Sequence, residues 1–172
     1  MDNSDERTVP PTRERLHVDL RRLEWASGLS EETLTAITNV AELVEFHAGD
    51  VVIEVDSEIT HAFFLITGRM EATLCDFLGK EIQKDTLVRG SVVGLFSLGL
   101  SERSHLQVQA TEPTTAIRLR LSDLLRLTAQ YAAFQLALFR LAASVFKRYV
   151  MVERSIPKPS VVAVIHHSEA SL

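Results

Sequence analysis

The sequence has little of several features that would point to particular classes of protein. It contains one cysteine, Cys75, in 172 residues, so no internal disulfide can form and a reducing, cytoplasmic location is expected. Lysine and arginine number 18 against 23 aspartates and glutamates, and this acidic balance argues against a protein built to contact nucleic-acid phosphates. No apolar run approaches the roughly 18 residues that a transmembrane helix needs. The polar N-terminal residues do not resemble a secretory signal.

The first forty residues predict two short helices behind a polar lead. Residues 1–13 are polar, carry paired prolines and are predicted to be a disordered lead. Between residues 15 and 25, leucines recur at helical spacing. Ser30, followed by two glutamates, predicts the N-cap of a second helix. Helices this short are not stable alone, so we expect both to dock on a larger body.

That larger body is predicted to be a β-structure between residues 43 and 121. Apolar and polar residues alternate in several short runs, and glycine-containing turns separate them. Short alternating strands with regular turn signals are typical of an antiparallel sandwich or barrel. Because the period is two, one face of most strands is expected to be buried and the other exposed.

A long helix is predicted over residues 122–153, with two apolar lines on its surface. The first line has heptad spacing and is assigned to dimerisation, since a second copy of the helix could bury it. Its candidate dimerisation residues are Leu127, Tyr131, Phe134, Leu138, Leu141 and Val145, and the line runs on to Tyr149 and Val152. The second line contains Phe139, Phe146 and Val150 and is expected to cover the β-structure. The alternative is a single wide apolar face buried within one chain.

Residues 90–110 organise the rest of the chain, and here a family resemblance emerges. With the turn glycines Gly49, Gly68, Gly90 and Gly94 and the flanking helices, this stretch resembles the phosphate-binding cassette of the cyclic nucleotide-binding domain family. The resemblance covers residues 23–153, and Val55 replaces a glycine that the family usually has before Asp56. It implies a mainly β fold with helices: a double-stranded β-helix (jelly roll or β-roll), flanked by N-terminal helices and a long C-terminal helix. The domain is expected to span residues 14–154.

The two family residues that hold the ligand are replaced here. The resemblance implies a glutamate for the ribose after Gly94, where this chain has Leu95, and an arginine for the cyclic phosphate where it has Ser104. Arg103 is one residue too early, and a shift of one residue at a strand entrance points a side chain the other way. The candidate ligand-binding residues of this degenerate cassette are Gly94, Leu95, Phe96, Arg103, Ser104 and His105.

Three hypotheses for the domain follow, and all remain open at this point. The favoured one is a non-catalytic regulatory or sensor domain that acts by dimerisation or protein contact on a downstream effector, without binding cyclic AMP or cyclic GMP in the usual way. A second is binding of a less charged ligand in the residual pocket near Leu95, Phe96 and Ser104. The third is weak binding of a cyclic nucleotide through loop amides and Arg103. No cofactor and no metal site are expected.

Residues 155–172 are predicted to be a linker and the start of a following domain. The segment 157–165 resembles the junction that precedes the catalytic domain in bacterial patatin-like phospholipases related to neuropathy target esterase. The Gly-x-Ser-x-Gly elbow of that class is absent, so no hydrolase activity is expected of this chain itself. The alternative is a transcription regulator cut before its DNA-binding domain. The adjacent His166 and His167 lack a third ligand at metal-binding spacing.

Overall fold

The structure, a computed structural model, describes residues 12–76, 80–95 and 103–153, with the side chains of residues 12 and 148–153 excepted. The helices are α1 (Thr12–Arg21), a 3₁₀ turn (Glu24–Ala26), α2 (Glu31–Val40), α3 (Leu121–Gln130) and α4 (Ala132–Glu153). The strands are β1 (Glu42–Phe46), β2 (Val51–Ile53), β3 (His61–Thr67), β4 (Met70–Cys75), β5 (Glu81–Leu87), β6 (Val92–Val93), β7 (Leu106–Ala110) and β8 (Thr114–Arg120).

The eight strands form two four-stranded antiparallel sheets, which together make a β-roll. One sheet has the order β1-β8-β3-β6 and the other β2-β7-β4-β5. Neighbours within each sheet are mostly distant in the chain, as when β3 pairs with both β8 and β6. The predicted double-stranded β-helix with flanking helices is therefore confirmed.

Strand β3 separates two apolar cores, which explains its unbroken apolar sequence. Phe63 and Leu65 point into the β-roll, whereas Phe64 and Ile66 point outward to the helices. Residues 62–66 are all buried because both faces of the strand are covered. We call the two clusters the inner core, inside the roll, and the outer core, between the sheet and the helices.

The N-terminal helices close the outer core. Leu16 and Leu20 of α1 are buried there, together with Ile37 of α2. The predicted cap is confirmed: the Thr33 backbone N–H donates to Ser30 Oγ at 3.2 Å. Helix α1 begins at Thr12, slightly ahead of the predicted start. Residues 1–11 lie outside the described part of the chain.

The prediction of a single helix over residues 122–153 is wrong, because the chain forms two helices that meet at Tyr131. The backbone of Tyr131 is extended, with φ −123° and ψ 99°. The Tyr131 N–H donates to the Leu127 carbonyl and its own carbonyl accepts from Gln135 N–H, so each helix end has a partner. With this break, Leu127 of α3 and Phe134 of α4 both reach the outer core.

The inner core fills the β-roll and forms the wall of the candidate site. It contains Phe63, Leu65, Met70, Val108 and Ala116, all buried. Cys75 is also buried and free, as its place in an alternating strand predicts. Within the described residues, no helix is long and apolar enough to cross a membrane.

Candidate functional site

The cradle predicted over residues 90–110 begins with a tight connection from β5 to β6. Ser91 Oγ accepts from the Val88 N–H at 3.1 Å, and the Gly90 N–H donates to the Leu65 carbonyl at 2.9 Å. Strand β6 then pairs with Phe63 and Phe64 of β3. The start of the cradle is thereby held on the central strand of the first sheet.

Gly94 is required by the backbone at the end of this strand. Its φ is +82°, a conformation that residues with a side chain rarely adopt. A Cβ atom placed there would lie 2.4 Å from the His61 carbonyl oxygen and 3.2 Å from the Ala62 Cα. The glycine therefore permits a close approach of two strands. The loop amides that follow it, from residue 96 on, lie outside the described residues, as does Phe96.

Leu95, at the position of the family glutamate, is part of the outer core rather than of a ligand pocket. Its side chain is 6% exposed and lies in the same cluster as Phe64 and Leu119. A carboxylate at this position would be buried among apolar side chains, which is costly without a partner. The local structure thus uses the position for packing.

Ser104, at the position of the family arginine, is hydrogen-bonded to the backbone of Leu106, the first residue of β7. The residue is buried, its Oγ donates to the Leu106 carbonyl at 2.8 Å, and it accepts from the Leu106 N–H at 3.1 Å. The Ser104 carbonyl also accepts from the Asp56 N–H at 2.7 Å. Asp56 itself adopts the left-handed conformation, with φ 62°, in the turn where Val55 replaces the family's glycine. Aspartate tolerates that conformation better than most residues with a side chain.

Arg103 and His105 lie on either side of Ser104 and both face outward. Arg103 Nη1 donates to the Asp56 carbonyl at 2.5 Å and lies 3.5 Å from its carboxylate. The His105 side chain is exposed, while its backbone carbonyl accepts from the Cys75 N–H. Of the predicted binding residues that the structure describes, only Gly94 and Ser104 line the cavity next to the cradle.

This cavity, of about 750 Å³, extends from inside the β-roll to a groove beneath α4. Its inner part is lined by Ile53, Ile59, Ala72, Asp85, Leu87, Val93, Ser104, Leu106 and Val108. Its outer part lies between the 3₁₀ turn and α4 and is lined by Trp25, Leu29, Ala133, Leu136, Ala137, Arg140, Leu141, Ser144 and Val145. The volume is within the range of ordinary small-molecule sites.

No sequence motif indicated the outer part of this cavity. Trp25 and Arg140 are more than a hundred residues apart in the chain, and only the fold brings them to one groove. Trp25 is held by two rings, with centroid distances of 4.9 Å to Phe64 and 6.2 Å to Phe134. Its buried Nε1–H has no acceptor among the described residues.

Two groups with shifted pKa values, His61 and Glu42, lie on strands β3 and β1 of the first sheet. Burial and the nearby cations Arg118 and Arg120 lower the pKa of His61, since each disfavours the charged imidazole. The Arg118 guanidinium donates to Glu42 and lowers the pKa of that carboxyl. Neither group lines the cavity. In the described part of the chain, no cluster of three or more metal-ligating side chains is found.

The residues assigned to dimerisation occupy a different place from the one predicted. Leu127, Phe134 and Leu138 are 1%, 0% and 4% exposed and belong to the outer core of their own chain. Tyr131, Leu141 and Val145 are partly buried against the same core. For these six residues the prediction of an interface with a second copy is therefore wrong, because the sheet and the N-terminal helices already cover them. The side chains of Tyr149, Val150 and Val152 lie outside the described part of the chain.

The other apolar line of the helix is the exposed one. Leu136, Phe139 and Phe146 are 48%, 70% and 63% exposed. Together with the exposed Ala132 and Ala143 they repeat at intervals of four and three residues along α4, which is heptad spacing. We call these five residues the α4 strip.

Comparison with known proteins identifies the family. A model of the cyclic nucleotide-binding domain matches residues 43–131, more than half of the 172 residues. The chain belongs to the cyclic nucleotide-binding domain family. Among curated proteins, no significant match to the sequence was found.

Solved structures share the fold of this family member. The regulatory subunit of a cAMP-independent protein kinase A from Trypanosoma brucei has 19% identity and a TM-score of 0.59, over 76% of this chain and 52% of that one. The regulatory domain of Toxoplasma gondii protein kinase A, in complex with cAMP, has 16% identity and a TM-score of 0.67, over 77% and 50%. Catabolite activator protein from Thermus thermophilus has 17% identity and a TM-score of 0.64, over 79% and 62%. The chain thus spans about half the length of the first two, and identities this low establish the fold alone.

Proposed function

We propose that this chain is a non-catalytic regulatory or sensor domain that does not bind cyclic AMP or cyclic GMP in the manner usual for its family. The observation that carries the proposal concerns the two positions where the family has its ligand-binding glutamate and arginine. Leu95 is packed in the outer core, and Ser104 is hydrogen-bonded to its own strand. Neither supplies the carboxylate or the guanidinium that the family resemblance calls for.

The charge of the inner cavity supports the same proposal. Its described wall includes the Asp85 carboxylate and no lysine or arginine, while Arg103 lies outside on Asp56. A cyclic phosphate placed there would be a buried anion with no lysine or arginine on the described inner wall to pair with it. An uncompensated buried charge costs several kcal/mol, which is a large share of the roughly 8 kcal/mol that a ~1 μM dissociation constant represents.

Calorimetry with cyclic AMP and cyclic GMP tests the proposal directly. We expect no saturable heat with the unmodified chain, and a dissociation constant near ~1 μM would overturn the proposal. Ser104→Arg should raise the affinity for both nucleotides, because it places a guanidinium on the cavity wall. A mutant of the Trypanosoma brucei subunit with three substitutions, one of which introduces arginine, is described bound to cAMP. Leu95→Glu is the second step of the restoration and should cost stability, because Leu95 is buried.

The output of the domain is proposed to be protein contact, beginning with a homodimer through the α4 strip. An exposed apolar line of this kind marks a protein-protein contact surface more often than an ordinary solvated face. A two-fold axis along the strip would bury it against itself. The test is the oligomeric state of variants in the strip.

The partner in regulation is proposed to be an effector domain in the same polypeptide, in a cytoplasmic protein. A patatin-like phospholipase domain is the first candidate because of the segment 157–165, which lies outside the described residues. A transcription regulator responsive to a small ligand is the second candidate. It is favoured by similarity to the Thermus thermophilus catabolite activator protein and to the N-terminal domain of a Streptomyces coelicolor transcriptional regulator. The coding sequence after residue 172 separates the two, through a serine-hydrolase elbow or a helix-turn-helix.

A further inference from the structure

We propose that the cavity binds an uncharged, predominantly apolar small molecule that spans the inner β-roll and the groove beneath α4. The inference deepens the proposed function. It rests on that function in one respect, because the cavity must not bind a cyclic nucleotide in the manner usual for the family. It names the chemical class of ligand to which such a sensor domain would respond.

The first argument is the continuity of the apolar wall. Inside the roll, Leu87, Val93 and Val108 are buried side chains on three different strands that face the same space. Beneath α4, Ala137 and Leu141 continue that wall toward Trp25. A molecule that follows this wall gains favourable free energy from apolar burial along its whole length.

The second argument is the balance of charge. Among the described residues, the lining contains two carboxylates, Glu24 and Asp85, and two guanidiniums, Arg89 and Arg140, so the formal charges of this described lining cancel. Arg89 and Arg140 are exposed, and Arg89 donates to the Arg22 carbonyl at 3.3 Å. An ion pair with an exposed arginine contributes little, whereas a ligand charge carried into the roll would be costly.

The third argument is the polar character of the described inner wall. The Asp85 carboxylate on β5 lines the same inner space as Ser104, and a carboxylate accepts several hydrogen bonds at once. Ser104 Oγ already donates to the backbone of its own strand. The described inner wall has no lysine or arginine, so it disfavours a ligand that presents an anion.

A matched pair of dyes tests the charge requirement. N-phenyl-1-naphthylamine is uncharged and carries one N–H, and 8-anilinonaphthalene-1-sulfonate is the same ring system with an added anionic group. Trp25 is the single tryptophan of the chain and lies on the cavity wall, so energy transfer from Trp25 reports that the dye is bound to the chain. We expect saturable one-to-one binding of the uncharged dye, with transfer from Trp25. Binding of the sulfonate should be weaker by about tenfold or more. Equal or tighter binding of the sulfonate would overturn the inference, as would the absence of saturable transfer with the uncharged dye.

Two alanine-to-leucine variants locate the binding. Ala137→Leu narrows the outer cavity and should weaken binding of the uncharged dye by about fivefold or more, a change of about 1 kcal/mol. Ala129→Leu adds the same atoms at an exposed position of α3, outside both the lining and the α4 strip, and should change the affinity less than twofold. If Ala137→Leu does not fold, Ala133→Leu replaces it, because Ala133 is exposed and lines the same groove. Unchanged binding in the lining variants would place the dye elsewhere and overturn the inference. Competition with cyclic AMP separates the two proposals: if neither the dye nor cyclic AMP binds, only the ligand inference fails, whereas displacement of the dye by cyclic AMP contradicts the proposed function.

Discussion

The guanidinium of Arg103 lies on Asp56, with Nη1 2.5 Å from the Asp56 carbonyl oxygen and 3.5 Å from its carboxylate. The one arginine near the expected phosphate position is thereby directed to the outside of the turn. The side chains of both residues are largely exposed, at 69% and 78%. An exposed pair of this kind contributes up to about 1 kcal/mol to stability.

Arg103→Ala should therefore leave the response to cyclic nucleotides unchanged and lower the free energy of unfolding by no more than about 1 kcal/mol. Calorimetry with cyclic AMP and urea unfolding measure the two effects. Asp56→Ala is a poor control because Asp56 has positive φ. Arg103→Lys is better, since it keeps the charge and loses the forked geometry. A cyclic AMP signal that is present in the unmodified chain and lost in Arg103→Ala would show that this arginine reaches the ligand.

Gly94→Ala should destabilise the chain by about 3 kcal/mol, because the added Cβ meets both a positive φ and the His61 carbonyl oxygen at 2.4 Å. Gly90→Ala is the matched control. It has φ +84° and no atom within 4 Å of the added Cβ, so it should cost only the conformational part, about 1 kcal/mol. Urea unfolding of both variants measures the difference. Equal losses would mean that the approach of β3 to the end of β6 is not tight in solution.

The β-roll was predictable because its signals are local. Alternating residues define the faces of most strands, and the turn glycines Gly49, Gly68, Gly90 and Gly94 all have positive φ. The loss of the family arginine could also be predicted. The resemblance places that arginine at position 104, where this chain has Ser104, and Arg103 lies one residue away.

The assignment of the long helix could not be predicted in the same way. Both of its apolar lines have heptad spacing, and spacing does not say which line the rest of the chain covers. The answer depends on where Leu16, Leu23 and Phe64 lie in space, because those side chains belong to the same buried cluster as Phe134 and Leu138. The outer cavity was missed for the same reason, since its walls come from segments far apart in the sequence.

Stability should fall as the pH is lowered from about 7.5 to about 5.5, in part through His61. The pKa of His61 is lowered from 6.5 in the folded state by burial and by Arg118 and Arg120. In this range the unfolded chain takes up a proton at this residue before the folded chain does, so the free energy of unfolding falls with pH. The contribution is fully present above pH 6.5 and is lost as the pH falls toward the lowered folded value. Urea unfolding of the unmodified chain and of His61→Gln at both pH values isolates it from the other histidines. A fall of the same size in His61→Gln would exclude His61 as a cause.

Variants of the α4 strip test self-association. They change exposed residues of α4, whereas the sequence analysis assigned dimerisation to residues that are buried in the structure. Phe139 and Phe146 are 70% and 63% exposed, whereas Leu138, one residue away on the same helix, is 4% exposed. The double variant Phe139→Asp, Phe146→Asp should convert a dimer into a monomer with little change in the far-UV spectrum, since it places like charges across the two-fold axis. Leu138→Asp is the contrasting variant and should lower the free energy of unfolding by about 3 kcal/mol or more, because it buries a carboxylate in the outer core.

Sedimentation equilibrium at concentrations on the order of tens of micromolar follows the association, and urea unfolding follows the stability. A double variant that remains a dimer would place the interface elsewhere on the chain. If the unmodified chain sediments as a monomer, the strip must serve a partner of another kind. The heptad spacing from Ala132 to Phe146 would then be read as a binding face for a helix of the effector domain, and adding that domain to the same polypeptide should protect Phe139 and Phe146 from solvent.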